Sequence, residues 1–146
     1  MVAENAQRYP ELLQQIREKG HSIGNHTYHH LRGCKTSKQE YLKDIIEAKQ
    51  VLQTSLFRPP HGRMTCSQKN ALRQAGYKIY LWDVLTHDYN PKYTPEKMLR
   101  IVQHFTRKGS IIVLHDSLKS KDRMLQALPQ IIQWLQEEGY SLQALK

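Results

Sequence analysis

The stretch HSIGNHTYHH, residues 21–30, decides how the rest of the sequence is interpreted. It holds four of the eight histidines of the 146-residue chain. The spacing of His26 and His30 would place both imidazoles on one face of a helical turn, where two neutral rings can bind one divalent ion. The alternative is a pair of solvated or core histidines, because this spacing also occurs in proteins that bind no metal.

Helices that alternate with short apolar runs predict an α/β fold. Ser37 with Glu40 forms a capping box at the start of one helix, and Thr65 and Thr94-Pro95 begin two others. Short buried strands between helices are typical of a parallel sheet or barrel. The predicted helices cover residues 4–19, 37–53, 65–74, 94–108 and 121–138. The predicted strands cover residues 1–3 (a stub), 21–25, 55–57, 78–82, 110–114 and 140–145.

Chemically capable side chains follow the apolar runs, where the carboxyl ends of parallel strands would meet. Six of the eight histidines lie at these positions, whereas purely structural histidines would be scattered over helix surfaces. This recurrence predicts a functional rim, and it points to a metal-dependent hydrolase. The residues of the predicted rim are His26, His29, His30, Arg58, His61, Asp83, His87, Asp88, His115 and Asp116.

The segment RPPHG, residues 58–62, predicts a rigid turn, because two prolines fix the backbone and the glycine permits a close approach to a ligand. Such a turn can aim a backbone N–H at a developing oxyanion while Arg58 holds a carboxylate. An ordinary surface turn is the alternative. Asp88 could pair with Arg58 or orient a catalytic histidine, and Asp83 is the other candidate for orienting it. His115 is placed either to act as a general acid or to cap a strand end.

The composition indicates a globular domain with a basic surface. The formal net charge is +9 and the pI is about 9.6. Because the basic residues are scattered and no basic run carries interleaved aromatics, a solvated basic surface is favoured over a nucleic-acid face. Cys34 and Cys66 could pair or stay free thiols. We expect no transmembrane segment and no signal peptide within this chain, and its localisation and oligomeric state stay open.

Four segments, in order, resemble the motifs of the polysaccharide deacetylases, the fourth family of carbohydrate esterases with the NodB-homology domain. GHSIGNHTYHH (residues 20–30) is similar to the family's metal-binding motif, and RPPHG to its RPPYG turn. WDVLTHDY (residues 82–89) resembles the motif that contains an aspartate, and IIVLHDS (residues 111–117) the final apolar-His-Asp motif. The resemblance covers nearly the whole chain.

The resemblance implies a distorted (β/α) barrel, commonly of seven strands. It also implies a hydrolase that removes N- or O-linked acetyl groups from peptidoglycan, chitin-like oligosaccharides or xylan. Family members hold zinc or another divalent ion with one aspartate and two histidines, which implies His26 and His30 as ligands here.

The other motifs imply catalytic and substrate-binding residues. The resemblance makes His115 the acid that protonates the leaving amine, and it implies that Arg58 pairs with Asp88. The backbone N–H of His61, beside Pro60, would help to hold the oxyanion.

Three departures from the family pattern affect these expectations. The first motif, an Asp-Asp pair that supplies the base and the third metal ligand, is absent, and we expect it upstream of Met1. Residues 1–146 are therefore expected to form one domain of an incomplete barrel that lacks its first strand, with weak metal binding and impaired turnover. His61 stands where the family has Tyr. Tyr89 stands where Trp often follows the aspartate, and Val113 where Leu often lines the acetyl pocket.

Three functions follow as hypotheses. The first is a zinc-dependent deacetylase of N-acetylated carbohydrate, and the second is an inactive relic that still binds glycan. The third, a nucleic-acid module, predicts salt-dependent binding that ignores the histidines, and the scattered charges disfavour it.

Overall fold

The computed structural model of the chain describes residues 1–145 and shows an α/β protein. The chain divides into two compact units. The first comprises residues 1–81 with residues 144–145, and the second comprises residues 82–143. Each unit holds one pair of parallel strands packed with helices, which confirms the α/β class.

The first unit is built from four α-helices and a short parallel strand pair. The helices are α1 (Ala3–Arg8), α2 (Pro10–Glu18), α3 (Lys38–Leu52) and α4 (Cys66–Gln74). Strands β1 (Leu56–Phe57) and β2 (Lys78–Ile79) pair in parallel, with Phe57 opposite Ile79. Two 3-10 turns cover Gly33–Lys35 and Pro60–Gly62.

Capping side chains begin two helices of this unit, α3 and α4, at the residues that the sequence predicts. The Ser37 hydroxyl accepts a hydrogen bond from the N–H of Glu40 at the start of α3. At the start of α4, Thr65 and Gln68 satisfy each other's backbone N–H in a complete capping box. These bonds stabilise N–H groups that have no partner inside the helix.

The apolar faces of the helices pack together in two hydrophobic clusters in the first unit. The first cluster joins α1, α2 and α3 through Ala3, Ala6, Leu13, Ala48 and Leu52. The second packs α3 and α4 against the strands through Tyr41, Ile45, Phe57, Leu72 and Tyr77.

The second unit contains strands β3 (Val84–Leu85) and β4 (Ile112–Val113) and helices α5 (Pro95–Phe105) and α6 (Lys121–Glu137). The strands pair in parallel, with Leu85 opposite Val113. The core cluster of this unit consists of Val84, Met98, Val102, Ala127, Ile131 and Leu135.

Several predicted elements at the start of the chain are wrong. The strand stub at residues 1–3 does not form, because Ala3 already begins α1. The helix predicted over residues 4–19 is two helices that meet at Tyr9, whose φ of −130° and ψ of 65° are not helical. The ring of Pro10 pushes the preceding residue out of the helical region. Residues 21–25 form no strand, and Asn25 alone makes a bridge to Phe57.

Other corrections concern strands in the second half. The final strand predicted over residues 140–145 is wrong, because these residues have no regular secondary structure. Conversely, β3 lies in a segment, residues 83–93, for which we predicted neither a helix nor a strand. Its strand conformation comes from pairing with β4, a contact distant in sequence that local patterning does not reveal. The strands at residues 55–57, 78–82 and 110–114 do form, each with two residues.

No helix in the described part of the chain is long and apolar enough to cross a membrane. Cys34 and Cys66 are both exposed free thiols, so the alternative of a disulfide between them is not realised.

Candidate active site

A buried asparagine anchors the histidine-rich segment of the first unit. Beside β1, the backbone N–H of Asn25 donates a hydrogen bond to the Leu56 carbonyl, and the backbone carbonyl of Asn25 accepts another. Its side-chain amide donates to the Ile45 carbonyl of α3 at 2.9 Å, and its side-chain oxygen accepts from the N–H of Thr27 at 2.9 Å. The start of the histidine loop is therefore fixed to both the strand and the helix beneath it.

Asp44 of α3 holds the middle of the same loop. Its buried carboxylate accepts from the backbone N–H groups of Tyr28 at 2.6 Å and His29 at 3.2 Å, and from the Nδ1 atom of His29 at 2.5 Å. The hydroxyl of Thr27 accepts from the N–H of Leu31 at 3.1 Å. These bonds satisfy backbone N–H groups of a loop that lacks the regular hydrogen bonds of a helix or a strand.

The structure brings His26 and His30 together, although not on a helix. Their ring centroids lie 4.9 Å apart within an irregular loop, and His30 has a left-handed backbone with a φ of 58°. The ring of His61 lies 5.1 Å from that of His30. The predicted proximity is therefore confirmed, while the helical geometry from which we inferred it is wrong.

His26 is held as a neutral imidazole with a defined tautomer. Its Nδ1 atom lies 2.7 Å from the Arg58 carbonyl, which can only accept, so Nδ1 carries the proton. Burial lowers the pKa of His26 to about 3, and this effect outweighs the hydrogen bond to Arg58, which raises it. A neutral ring with a protonated Nδ1 presents the lone pair of Nε2, the form in which histidine binds metals.

These residues fit part of a metal site. Two imidazoles in ring contact, one of them oriented by a backbone carbonyl, have the donor chemistry that zinc requires. Within residues 1–145, however, no group of three histidine, cysteine or acidic side chains is arranged to hold an ion. A complete site needs a further ligand.

The RPPHG segment forms a turn, as expected. Pro60 is buried, and His61 has a left-handed φ of 57°, which is uncommon for a residue with a side chain. Arg58 donates to two backbone carbonyls, those of Tyr80 at 3.4 Å and Leu81 at 3.3 Å. Its pairing with Asp88 stays a prediction.

In the second unit, Asp88 orients His115. The fully buried carboxylate accepts from the backbone N–H of His115 at 2.5 Å and from its Nδ1 atom at 2.7 Å. Of the two candidate aspartates, Asp88 therefore makes this contact. Asp83 instead binds the N–H of Ile111 at 3.0 Å and the guanidinium of Arg107 at 3.5 Å. The resulting histidine–carboxylate pair fixes the Nδ1 proton and leaves Nε2 as the nitrogen that exchanges protons.

Two residues that sequence reasoning missed hold this pair in place. Buried Ser120 donates to the carbonyl of His115 at 2.5 Å. Arg123 of α6 donates to the carbonyl of Asp88 through Nε at 3.1 Å and Nη2 at 3.0 Å. Their roles depend on contacts between distant segments, and no local signal in the sequence identifies them.

Of the other residues predicted in the second unit, Tyr89 contacts the ring of His115. Tyr89 is 42% exposed, and its ring stands perpendicular to that of His115 with centroids 5.0 Å apart. Val113 is buried in β4.

Left-handed backbones concentrate at the predicted rim. Among residues 1–145, five residues other than glycine have a positive φ. One of them, Gln53, is simply the C-cap of α3. The other four, Thr27, His30, His61 and His87, all lie in the motif segments. Such conformations cost of the order of 1–3 kcal/mol each and cluster where function requires a particular geometry.

Comparison with known proteins gives consistent matches. The family model described as polysaccharide deacetylase matches residues 1–80. A peptidoglycan-N-acetylglucosamine deacetylase of Bacillus cereus is 31% identical over 148 residues, covering 96% of this chain and 68% of that protein. A chitooligosaccharide deacetylase of Azorhizobium caulinodans is 27% identical over 162 residues, covering 99% of this chain and 77% of that protein.

A solved structure matches the fold closely. The crystal structure of the Bc1960 peptidoglycan N-acetylglucosamine deacetylase superposes with a TM-score of 0.93 at 27% identity. The match covers 99% of this chain and 70% of that one.

Proposed function

Because the chain belongs to the polysaccharide deacetylase family, we propose that it is a metal-dependent hydrolase that removes acetyl groups from N-acetylated carbohydrate. The observation that carries the proposal is the pair of imidazoles of His26 and His30, one held neutral by burial and oriented by a backbone carbonyl. The names of the relatives support peptidoglycan or a chitin-like oligosaccharide as the substrate.

His26 and His30 would hold the metal, most simply zinc. When bound there, the ion would supply Lewis-acid polarisation of the acetyl carbonyl and would activate water for attack. The third ligand and the base would come from an Asp-Asp pair like that of the family's first motif. We further propose that the two strand pairs belong to a distorted (β/α) barrel of the seven-stranded type, incomplete in this chain. The TM-score of 0.93, with 70% of the matched structure covered, supports this proposal.

The protein's own groups would carry the proton to the leaving group. When the amide C–N bond breaks, the sugar nitrogen takes a proton from Nε2 of His115, while Asp88 stabilises the charged ring that donates it. The backbone N–H of His61 would donate to the developing oxyanion in its rigid turn. Tyr89 and Val113 would form apolar surface for the acetyl group. Acetate and a free amine are the products.

Zinc titration by calorimetry tests the proposal on the 146-residue chain. We expect weak binding that His26→Ala or His30→Ala weakens by about tenfold or more, because each removes one ligand. His104→Ala is the matched control, since this histidine lies on α5 outside the motif segments. Zinc affinity that is unchanged in both ligand variants would contradict the proposal.

Glycan binding without catalysis is a second candidate. It is favoured by the incomplete ligand set, because no third side chain of residues 1–145 is arranged to hold an ion together with the two imidazoles. A full-length protein that binds zinc but never releases acetate from N-acetylated oligosaccharide would support this second candidate over the first.

A further inference from the structure

The second unit contains a cavity of about 720 Å³ that the proposed chemistry does not use. Residues of strand β3 and of helix α5 line it. Its volume lies within the range of small-molecule sites. Three of its polar lining residues are cations. The polar and aromatic residues that line it are Asp83, His87, Lys92, Tyr93, Lys97 and Arg100.

Positive charge dominates this cavity. The carboxylate of Asp83 is already bound, by the N–H of Ile111 and by Arg107. The Nζ atom of Lys97 donates to the Lys92 carbonyl at 3.3 Å, which holds that ammonium at the cavity. Glu96 of α5 does not line the cavity. The three lining cations therefore face a space whose one lining carboxylate is occupied, and this suits an anionic group.

A row of four rings connects the cavity to His115. The ring of Tyr89 lies 5.0 Å from that of His115, and its hydroxyl lies 3.2 Å from Nδ1 of His87. The ring of His87 in turn packs on Tyr93 with centroids 4.8 Å apart and planes 32° apart. His87 and Tyr93 both line the cavity. Flat aromatic faces of this kind bind the C–H faces of sugar rings while their polar edges donate or accept hydrogen bonds.

We propose that this row of rings is a track for the glycan and that the cavity binds a carboxylate carried by a sugar of the same polymer. The inference rests on the proposed function and deepens it, because it selects an acidic glycan over a neutral one. Lysine and arginine form charge-assisted hydrogen bonds with carboxylates, which a neutral chitin-like chain cannot supply. A sugar at His115 and an acidic sugar in the cavity would then belong to one bound chain.

Calorimetry with two matched ligands tests the inference. One ligand is a peptide-free oligosaccharide of alternating N-acetylglucosamine and N-acetylmuramic acid, and the other is the same oligosaccharide with its carboxylates reduced to alcohols. The protein should bind the acidic form about tenfold more tightly, and added salt should reduce this preference. The variant Lys97→Gln/Arg100→Gln should lose the preference and bind both forms alike, whereas Lys97→Arg/Arg100→Lys should keep it.

Controls separate the cavity from general charge. Lys43→Gln/Arg73→Gln removes one lysine and one arginine from exposed positions of α3 and α4, and it should keep the preference. Tyr89→Leu should weaken binding of both ligands equally, because it shortens the track. Equal affinity of the unmodified protein for both ligands, the same loss in the control pair, or an unaffected Tyr89→Leu would overturn the inference. This experiment measures glycan affinity and the zinc titration measures metal affinity, so failure of the inference is distinguishable from failure of the proposed function.

Discussion

Replacement of Asp88 by asparagine is expected to destabilise the chain by about 2–4 kcal/mol at neutral pH. The carboxylate is fully buried and accepts two hydrogen bonds from His115, at 2.5 Å from the backbone N–H and at 2.7 Å from Nδ1. Asparagine has the same shape, but its amide carries one acceptor oxygen. Its oxygen can still accept from the backbone N–H of His115, but its NH2 group can face Nδ1 only if the imidazole moves its proton to Nε2, so both charge-assisted bonds are lost.

The magnitude follows from these two bonds. A hydrogen bond to a charged group contributes about 1.5–3 kcal/mol, and a neutral one about 1 kcal/mol. The substitution weakens both bonds to the neutral value, and the forced change of the His115 tautomer adds to the loss, which gives the expected range.

Acid should reduce the difference between the two proteins. Burial raises the pKa of Asp88, but the hydrogen bonds from the ring and backbone of His115 outweigh burial and hold the pKa below its ordinary value of 3.8. A carboxylate with a depressed pKa stabilises the folded state fully above the unfolded value and loses this contribution as the pH falls through the folded one. The effect of Asp88→Asn should therefore shrink as the pH falls below 3.8.

Urea denaturation followed by tryptophan fluorescence measures this effect directly. Both tryptophans of the chain, Trp82 and Trp134, lie in the unit that contains Asp88. Asp116→Asn is the matched control, because this aspartate is exposed and adjacent in sequence to His115. A free energy of unfolding for Asp88→Asn within about 0.5 kcal/mol of the control at neutral pH would refute the reasoning. So would a difference that does not shrink as the pH falls below 3.8.

Three further substitutions test the packing around the histidine loop, each by urea unfolding monitored by circular dichroism. Asp44→Asn should cost about 1–3 kcal/mol, because it weakens the three bonds to Tyr28 and His29; an unchanged midpoint would show that they do not hold the loop. Gly33→Ala should cost about 1–3 kcal/mol, because its Cβ would lie 3.0 Å from two backbone atoms, and a neutral result would mean that the segment shifts easily. Gln68→Ala removes a fully buried amide that binds three backbone groups and should cost about 2–4 kcal/mol; a loss below 1 kcal/mol is the contrary outcome.

Local chemistry explains which parts of the fold could be predicted. The helix starts at Thr65 and Thr94 depend on bonds within three residues, and both form as predicted. Strand β3 could not be predicted, because its two residues adopt a strand only through pairing with β4. The first helix was overextended, although Pro10 marks the break through its effect on the preceding residue.

The candidate site shows the same division. The motif resemblance selected His26, His30 and His115, and the structure shows the imidazole contact and the carboxylate beside His115. The left-handed backbone of His30 was not predictable from residue spacing, because its loop is held by hydrogen bonds to the carboxylate of Asp44, which is distant in sequence. Asp44 did leave a signal, since it lies three residues after Tyr41, on the buried face of α3.

The central claim, metal-dependent deacetylation, is tested most directly by acetate release. The full-length protein would be treated with chelator and assayed on N-acetylated chito-oligosaccharide before and after zinc is restored. The account predicts that release stops with chelator, returns with zinc, and falls by about a hundredfold or more in His115→Gln, which keeps a polar side chain but cannot transfer the proton. Release that persists without metal, or zinc-loaded protein that releases no acetate, would contradict the account.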